Sequence, residues 1–391
     1  MFKATDGVIL PTGVIGSLPR PAWYTENLGR RTFLEAIVNS AYREQYTDAV
    51  SVYLRDQEIA GVDYVTDGDA HYDVEVSGHS WISYPVGRIG GCENDYRAAA
   101  ISQAMQKRGH ILHDGSESRI NPVIVGPITR GDLQYTEMWK VAQRLTKKPV
   151  KFGTITPEFI ALAARDKYYK SRRDRIMAVS NALNEELNAL ADAGCPAIQL
   201  EEPLLHLPGP RGEGADEIGP DFMVDVFNNT VRGLRAKTEV WAHSCWGNPS
   251  QQRLTPKPMS YAPFLKNYNR LDCDVITFET AHAGGMDLEE YGKQITGKKI
   301  AIGVIDHHTL QVERPDEVAD LIRRALKHSP ADRLVITSDC GMGREGMARR
   351  HAFYKMVAMV LGTNVVRREI GAPEAECLAA DPRYTLAATA E

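Results

Sequence analysis

The 391-residue chain has no run of apolar residues approaching the ~20 needed to span a bilayer, so no membrane helix is expected. It also lacks a basic excess. Its 46 Lys and Arg against 51 Asp and Glu give a net charge of −5, and the basic residues are scattered rather than striped. A nucleic-acid surface is therefore not expected. The opening residues, MFKATDGVIL, have neither the apolar core nor the cleavage site of a signal peptide, and a cytoplasmic location is the expectation. Cysteine is sparse. Six of them (Cys92, Cys195, Cys245, Cys273, Cys340 and Cys377) are too few to cross-link a chain of this length. Each is either a buried small hydrophobe or a functional thiol. No low-complexity segment or long repeat is present.

What the chain has is alternation. Short, β-branched apolar runs recur at 13–17, 64–67, 151–154, 197–200, 240–243, 275–279, 300–304 and 334–338. Helix-length amphipathic segments separate them. SRRDRIMAVSNALNEELNALADAG is the clearest, with apolar positions at helical spacing and Gly194 where a helix would stop. Near-continuous apolar strands between helices imply a parallel sheet covered on both faces. Eight such units predict an α/β fold, a (β/α)8 TIM barrel, rather than a doubly wound open sheet. Residues 70–150 break the rhythm and are read as a long excursion after the second strand, over the barrel mouth. Residues 1–391 are thus expected to form one barrel domain, with a frayed tail at DPRYTLAATAE.

Polar residues gather where such a barrel carries its chemistry, just past the C-terminal ends of the strands. The second strand ends in Asp67-Gly68-Asp69, the fourth in Glu201-Glu202-Pro203, the fifth in His243-Ser244-Cys245, the sixth at Glu279. The seventh runs into Asp306-His307-His308, and the eighth into Asp339-Cys340-Gly341. His243 and Cys245 share one strand face because side chains i and i+2 do. Alone, that pair reads equally as core. Consecutive strand ends are neighbours in space, however, so His243, Cys245, Glu279 and Cys340 can converge. Two thiolates, an imidazole and a carboxylate suit Zn2+ better than the all-oxygen cations. Cys195 and Cys273, ahead of buried strands, are expected in the core. His71, His79, His110, His113, His206, His282, His328 and His351 are read as ordinary surface or hydrogen-bonded residues. Trp23, Tyr72 and Trp246 either line a pocket or simply pack. Arg20 is either an anion ligand or a surface residue. Arg344 and Arg349 are read as partners of surface acids or as an anion site.

These motifs, in this order, resemble the C-terminal catalytic barrel of the cobalamin-independent methionine synthases and its shorter relatives, which include the epoxyalkane:coenzyme M transferases. The residues that carry the resemblance are VIGSLPRP (14–21), QEIAGVDYVTDGD (57–69), IQLEEP (198–203), HSC, VITFE, GVIDHH and TSDCGMG. The resemblance implies zinc ligation by His243, Cys245, Glu279 and Cys340. It implies that the backbone of Ile15, Gly16 and Ser17 receives the carboxylate of an amino-acid thiol, and that Asp69 and Glu201 receive its ammonium group. His308 would be the acid near the transferred group, with Asp306 behind it and His307 as the competitor. Two positions depart from the family: Asp69 stands where Glu is usual, and Glu201 where methionine synthases have Asp. The run AHYD after Asp69 lacks the expected Arg, and the N-terminal half of the full-length enzymes is absent. The implied activity is zinc-dependent methyl or alkyl transfer to a thiol activated as the thiolate, with homocysteine as the leading acceptor. The donor would be a folate, a methylated corrinoid protein or a small molecule. The alternatives are alkylation of another thiol such as coenzyme M, a metal-free uroporphyrinogen-decarboxylase-like lyase, or a non-catalytic barrel with zinc as a staple.

Overall fold

A computed structural model describes residues 3–21, 23, 40–70, 80–93, 123–201, 205–206, 217–246, 259–343 and 347–381 of the chain. Six parallel strands build its centre: β3 (Lys151–Ile155), β5 (Ala197–Glu201), β6 (Glu239–Ser244), β7 (Val275–Phe278), β8 (Lys299–Ile305) and β9 (Leu334–Ser338), hydrogen-bonded in that order. All six lie within a residue or two of the apolar runs expected to form strands. Helices follow the strands as the alternation requires, among them Arg172–Asp192, Pro315–Leu326 and Arg349–Glu369.

The first two expected strands are shorter than predicted. Residues 11–13 and 63–65 form single parallel bridges, Thr12 to Ile336 and Val65 to Val150. Pro11 and Asp63-adjacent turns leave little chain to pair: the Gly13 N–H donates to Ile336, the Asp63 and Tyr64 N–H groups to Thr12, and the Lys151 N–H to Val65. These bonds nevertheless link β9 through both segments to β3, which completes a ring of eight staves, the (β/α)8 arrangement.

Period-two alternation divides the strand residues between two cores. Ile198, Leu200, Val240, Ala242, Ile276, Phe278, Ile300, Ile302 and Ile336 belong to the large outer core under the helices. Ala197, Trp241, Val275, Ala301 and Val335 form a second cluster with Ala4 and Tyr64 inside the ring. Tyr64 meets Trp241 edge-on at 5.3 Å between centroids. The floor of the ring is closed by the N-terminal segment. Thr5 donates to Glu239 (2.6 Å), and Lys299 Nζ donates to the Thr5 carbonyl and hydroxyl (both 2.9 Å).

Within the expected excursion, β1 (Gly90–Glu93) pairs antiparallel with β2 (Val123–Thr129), which runs parallel to β4 (Arg165–Asp166). The helix Tyr135–Arg144 in the same span packs on the ring instead, where Trp139 Nε1 donates to the Val150 carbonyl at 3.2 Å. Its apolar face places it with the barrel helices.

Candidate metal centre

The strand register brings the polar residues into one row. Glu201 on β5 pairs with His243 on β6, and His243 with Thr277 on β7. Paired residues of parallel strands share a face, so all three point into the ring. The His243 imidazole is fully buried, with Nδ1 2.5 Å from Thr277 Oγ1. Cys245 lies two residues on and Cys340 two residues beyond β9. Both are buried cysteines outside any disulfide, with their sulfurs 3.4 Å apart. One donor atom from each of His243, Cys245 and Cys340 lies within 4.8 Å of the others. Two sulfurs and an imidazole nitrogen are a soft donor set, and they fit a zinc ion short of its fourth ligand.

Glu279, buried immediately after β7, accepts the Trp246 backbone N–H at 2.9 Å. Its carboxylate groups with His282 and His308, again within 4.8 Å. It therefore stands beside the sulfur-nitrogen trio rather than among it. His206 braces the cysteine from behind. Its Nε2 is 2.7 Å from the Cys245 carbonyl and its Nδ1 2.5 Å from the Tyr268 hydroxyl, in a cage of Trp246, Tyr261 and Phe264. Burial pushes this imidazole down to about 4, against the pull of the Cys245 carbonyl. It is neutral, a donor at one nitrogen and an acceptor at the other.

Asp306 organises the opposite wall. One carboxylate oxygen accepts the His308 backbone N–H (2.7 Å) and lies 3.5 Å from His308 Nδ1. The other is 3.1 Å from His282 Nδ1. Burial pushes its carboxyl up, but the hydrogen bonds from His308 and His282 outweigh this and hold it below the usual carboxylate range. Its own peptide is clamped: Asp306 N–H donates to Glu313 (2.9 Å), and buried Lys355 donates to both the Asp306 carbonyl (3.0 Å) and Glu313 (2.8 Å). Asp339, next to Cys340, accepts the N–H groups of Thr280, Ala281 and His282 at 2.7, 2.9 and 2.7 Å. That fixes the loop after Glu279 to the loop that carries Cys340. Gly303 makes room for it, since a Cβ there would sit 1.9 Å from the Asp339 Oδ1.

A second pocket wall adjoins the row. A Cβ on Gly16 would lie 3.0 Å from Asp69 and 3.3 Å from Glu201, so both carboxylates face that backbone. Asp69 is held at φ 57°, with its N–H donating to Asp67 Oδ1 at 3.0 Å. Gln199 donates to Glu201 (2.9 Å) and to the Ile15 carbonyl (3.1 Å), and accepts from buried Lys151 at 2.5 Å. Burial pushes the Lys151 ammonium down to about 7, against the pull of Glu201, Asp69 and Glu239. Its Nζ lies 4.4 Å from the centre of the Trp241 ring. The Ile15 N–H is engaged by Ser338 Oγ (3.2 Å), so an incoming carboxylate would compete for it. Ser17 is tied to the eighth loop through Met342 N–H (2.8 Å) and Gly343 N–H (3.3 Å).

His282, read from sequence as ordinary, stands in the site. Its position three residues after Glu279 was the available signal. His206 is indeed hydrogen-bonded, but to the backbone of Cys245. Arg20 binds the carbonyls of Leu18, Gly68 and Asp69 (2.6, 2.6 and 3.0 Å), joining the first and second loops. Arg349 pairs through two bonds with Asp56 (2.6 and 2.8 Å). Trp246 is buried against His206 and Tyr261, while Trp23 is exposed. Cys195 and Cys273 are buried, as expected. His71, Tyr72, His79, His110, His113, Glu202 and Arg344 lie outside the described residues.

The family model described as cobalamin-independent synthase, catalytic domain, matches residues 91–362. A protein named methionine synthase from Saccharolobus solfataricus is 30% identical over 367 residues, covering 93% of this chain and 96% of that one. A methionine synthase from Saccharolobus islandicus is 31% identical over 363 residues, with the same coverage of 93% and 96%. A solved structure of a B12-independent methionine synthase from a Shewanella species, in complex with selenomethionine, superposes with a TM-score of 0.72 at 26% identity. It covers 93% of this chain and 99% of that one.

Proposed function

Because the chain belongs to the cobalamin-independent synthase catalytic-domain family, whose curated relatives are methionine synthases, we propose that it transfers a methyl group to the sulfur of homocysteine with one zinc ion bound. His243, Cys245 and Cys340 would hold the ion, with Glu279 beside them as the fourth ligand. The observation that carries this reading is the pair of buried cysteine sulfurs 3.4 Å apart beside an imidazole at the strand ends. What zinc supplies when bound is loss of the acceptor thiol's proton on coordination, which leaves the sulfur nucleophilic near neutral pH.

The chain's own residues do the rest. Glu279 would be the fourth and most weakly committed holder of the ion, since its carboxylate stands outside the sulfur-nitrogen trio. His206 holds the Cys245 peptide in place. Asp69 and Glu201 flank the Gly16 backbone and receive the acceptor's ammonium group, while the amides of the Ile15–Ser17 turn receive its carboxylate. An acceptor with a sulfonate instead of these groups would need a basic partner, and Arg20 is committed to three backbone carbonyls. This favours an amino-acid thiol over coenzyme M. His308, oriented by Asp306, delivers a proton to the leaving group of the donor, which is a methylfolate, a methylated corrinoid protein or a small methyl compound. Residues 1–391 act as one barrel domain in the cytoplasm, with the segment after the second strand as an excursion.

The test is metal analysis coupled to turnover. Protein purified without chelator should carry about one tightly held zinc per chain. Cys245→Ser and Cys340→Ser should each lose zinc and methyl transfer together. Full turnover by either variant with no zinc bound would reject the mechanism. A panel of homocysteine, coenzyme M, cysteine and glutathione, assayed with each donor class, identifies the substrates.

A further inference from the structure

We propose that Glu279, His282 and His308 form a second cation position beside the sulfur-rich one, where zinc in excess binds and inhibits. Donor atoms of these three side chains lie within 4.8 Å of one another. Donors around a single zinc ion lie roughly 3.3 to 4 Å apart, so small side-chain rotations close the group on an ion. Two imidazoles and a carboxylate are a full set of protein ligands for an open zinc site.

The surroundings match what such ligands need. An imidazole that binds a metal through one nitrogen gives its other N–H to a carboxylate, which fixes its orientation. Here a single carboxylate serves both rings: Asp306 Oδ2 is 3.1 Å from His282 Nδ1, and Oδ1 is 3.5 Å from His308 Nδ1. His282 is thus held through Nδ1, and His308 presents its Nδ1 to the same carboxylate. The two rings face each other at 4.3 Å between centroids. The Lys355–Glu313 pair clamps the Asp306 peptide, so the orienting carboxylate is itself anchored. Glu279 and Asp306 bring two carboxyl groups to a mostly buried spot, hard oxygen donors suited to a dication. The His282 side chain is 19% exposed, which leaves a route in from solvent.

Binding there follows from these residues alone. Inhibition rests on the proposed function, because the ion would take both the fourth ligand Glu279 and the proton donor His308. The experiment is a zinc titration of the full chain against a chromophoric chelator. The wild type should take up two equivalents, one tight and one weaker. His282→Phe should keep the tight equivalent, which also reports that it is folded, and weaken the second by about tenfold or more. Cys340→Ser should do the reverse. Excess zinc should slow the wild type, while His282→Phe keeps its own uninhibited rate. A wild type that takes up one equivalent, or a His282→Phe protein that binds the second unchanged, overturns the inference. Failure of Cys340→Ser to lose the tight equivalent instead overturns the assignment of the first site.

Discussion

Gly303→Ala should damage the site from a distance, through Asp339. The new methyl group would sit 1.9 Å from the Asp339 carboxylate oxygen and 2.6 Å from its backbone Cα. An ordinary contact is about 3.4 Å or more, so the two groups must part by about 1.5 Å. Rotating the Asp339 side chain relieves only the first clash. The second forces the β8 and β9 backbones apart. Overpacking of this kind costs about 1–3 kcal/mol. Displacing the carboxylate also threatens its bonds to the N–H groups of Thr280, Ala281 and His282. A hydrogen bond to a charged acceptor contributes about 1.5–3 kcal/mol. Losing one of them on top of the overpacking puts the total at about 2.5–6 kcal/mol, against a usual stability of about 5–15 kcal/mol. Cys340 follows Asp339 directly, so zinc affinity should fall by about tenfold or more. Urea unfolding and chelator competition read the two effects. Gly126→Ala is the control, since nothing lies within 4 Å of its added methyl. A Gly303→Ala protein with the stability and zinc affinity of the wild type would refute the idea that Asp339 ties the two ligand-bearing loops together.

Glu201→Gln should raise the KM for the acceptor by about 10- to 100-fold, the worth of one charged hydrogen bond, with zinc content unchanged; an unaltered KM removes Glu201 from the ammonium site. His206→Phe should weaken zinc binding by about 10- to 100-fold through the freed Cys245 carbonyl, and unchanged affinity in the chelator assay would make His206 a packing residue only. Lys151 has a folded-state pKa lowered to about 7, below the unfolded value of about 10.4. Between these values the unfolded chain binds the extra proton, so this group makes stability rise with pH from about 7 to about 10, by up to about 1.4 kcal/mol per unit. The difference in unfolding free energy between wild type and Lys151→Met should grow across that window. A flat difference would mean that Lys151 keeps its proton when buried.

The sequence was most legible where one side-chain period decides the outcome. The six strands from β3 to β9 are β-branched runs buried on both faces, and the structure has each where the pattern puts it. Residues 13–17 and 64–67 have the same composition but bend into loops after single bridges, because pairing there is set by neighbours far along the chain. Strand-end polarity marked His243, Cys245, Glu279 and Cys340 as a group; donor atoms of the first, second and fourth converge, while Glu279 groups with His282 and His308. It could not say which way the Glu279 carboxylate turns, since that depends on the Trp246 amide and on the loop Asp339 holds. His282 and His206 escaped notice for a related reason. Their roles arise from partners 24 and 39 positions away, Asp306 and Cys245, which no local spacing encodes.

The ring is not uniformly stitched. From β3 through β9 it is a continuous ladder, and this arc carries His243, Glu279 and Cys340. The seam between β9 and β3 hangs on two lone bridges, and this is where Ile15, Gly16 and Asp69 sit. Amide protons along the seam should trade with deuterium well before those of the ladder. Breathing of that side would open and close the backbone of Ile15 and Gly16 against Asp69 while the ladder that carries His243, Glu279 and Cys340 stays in place.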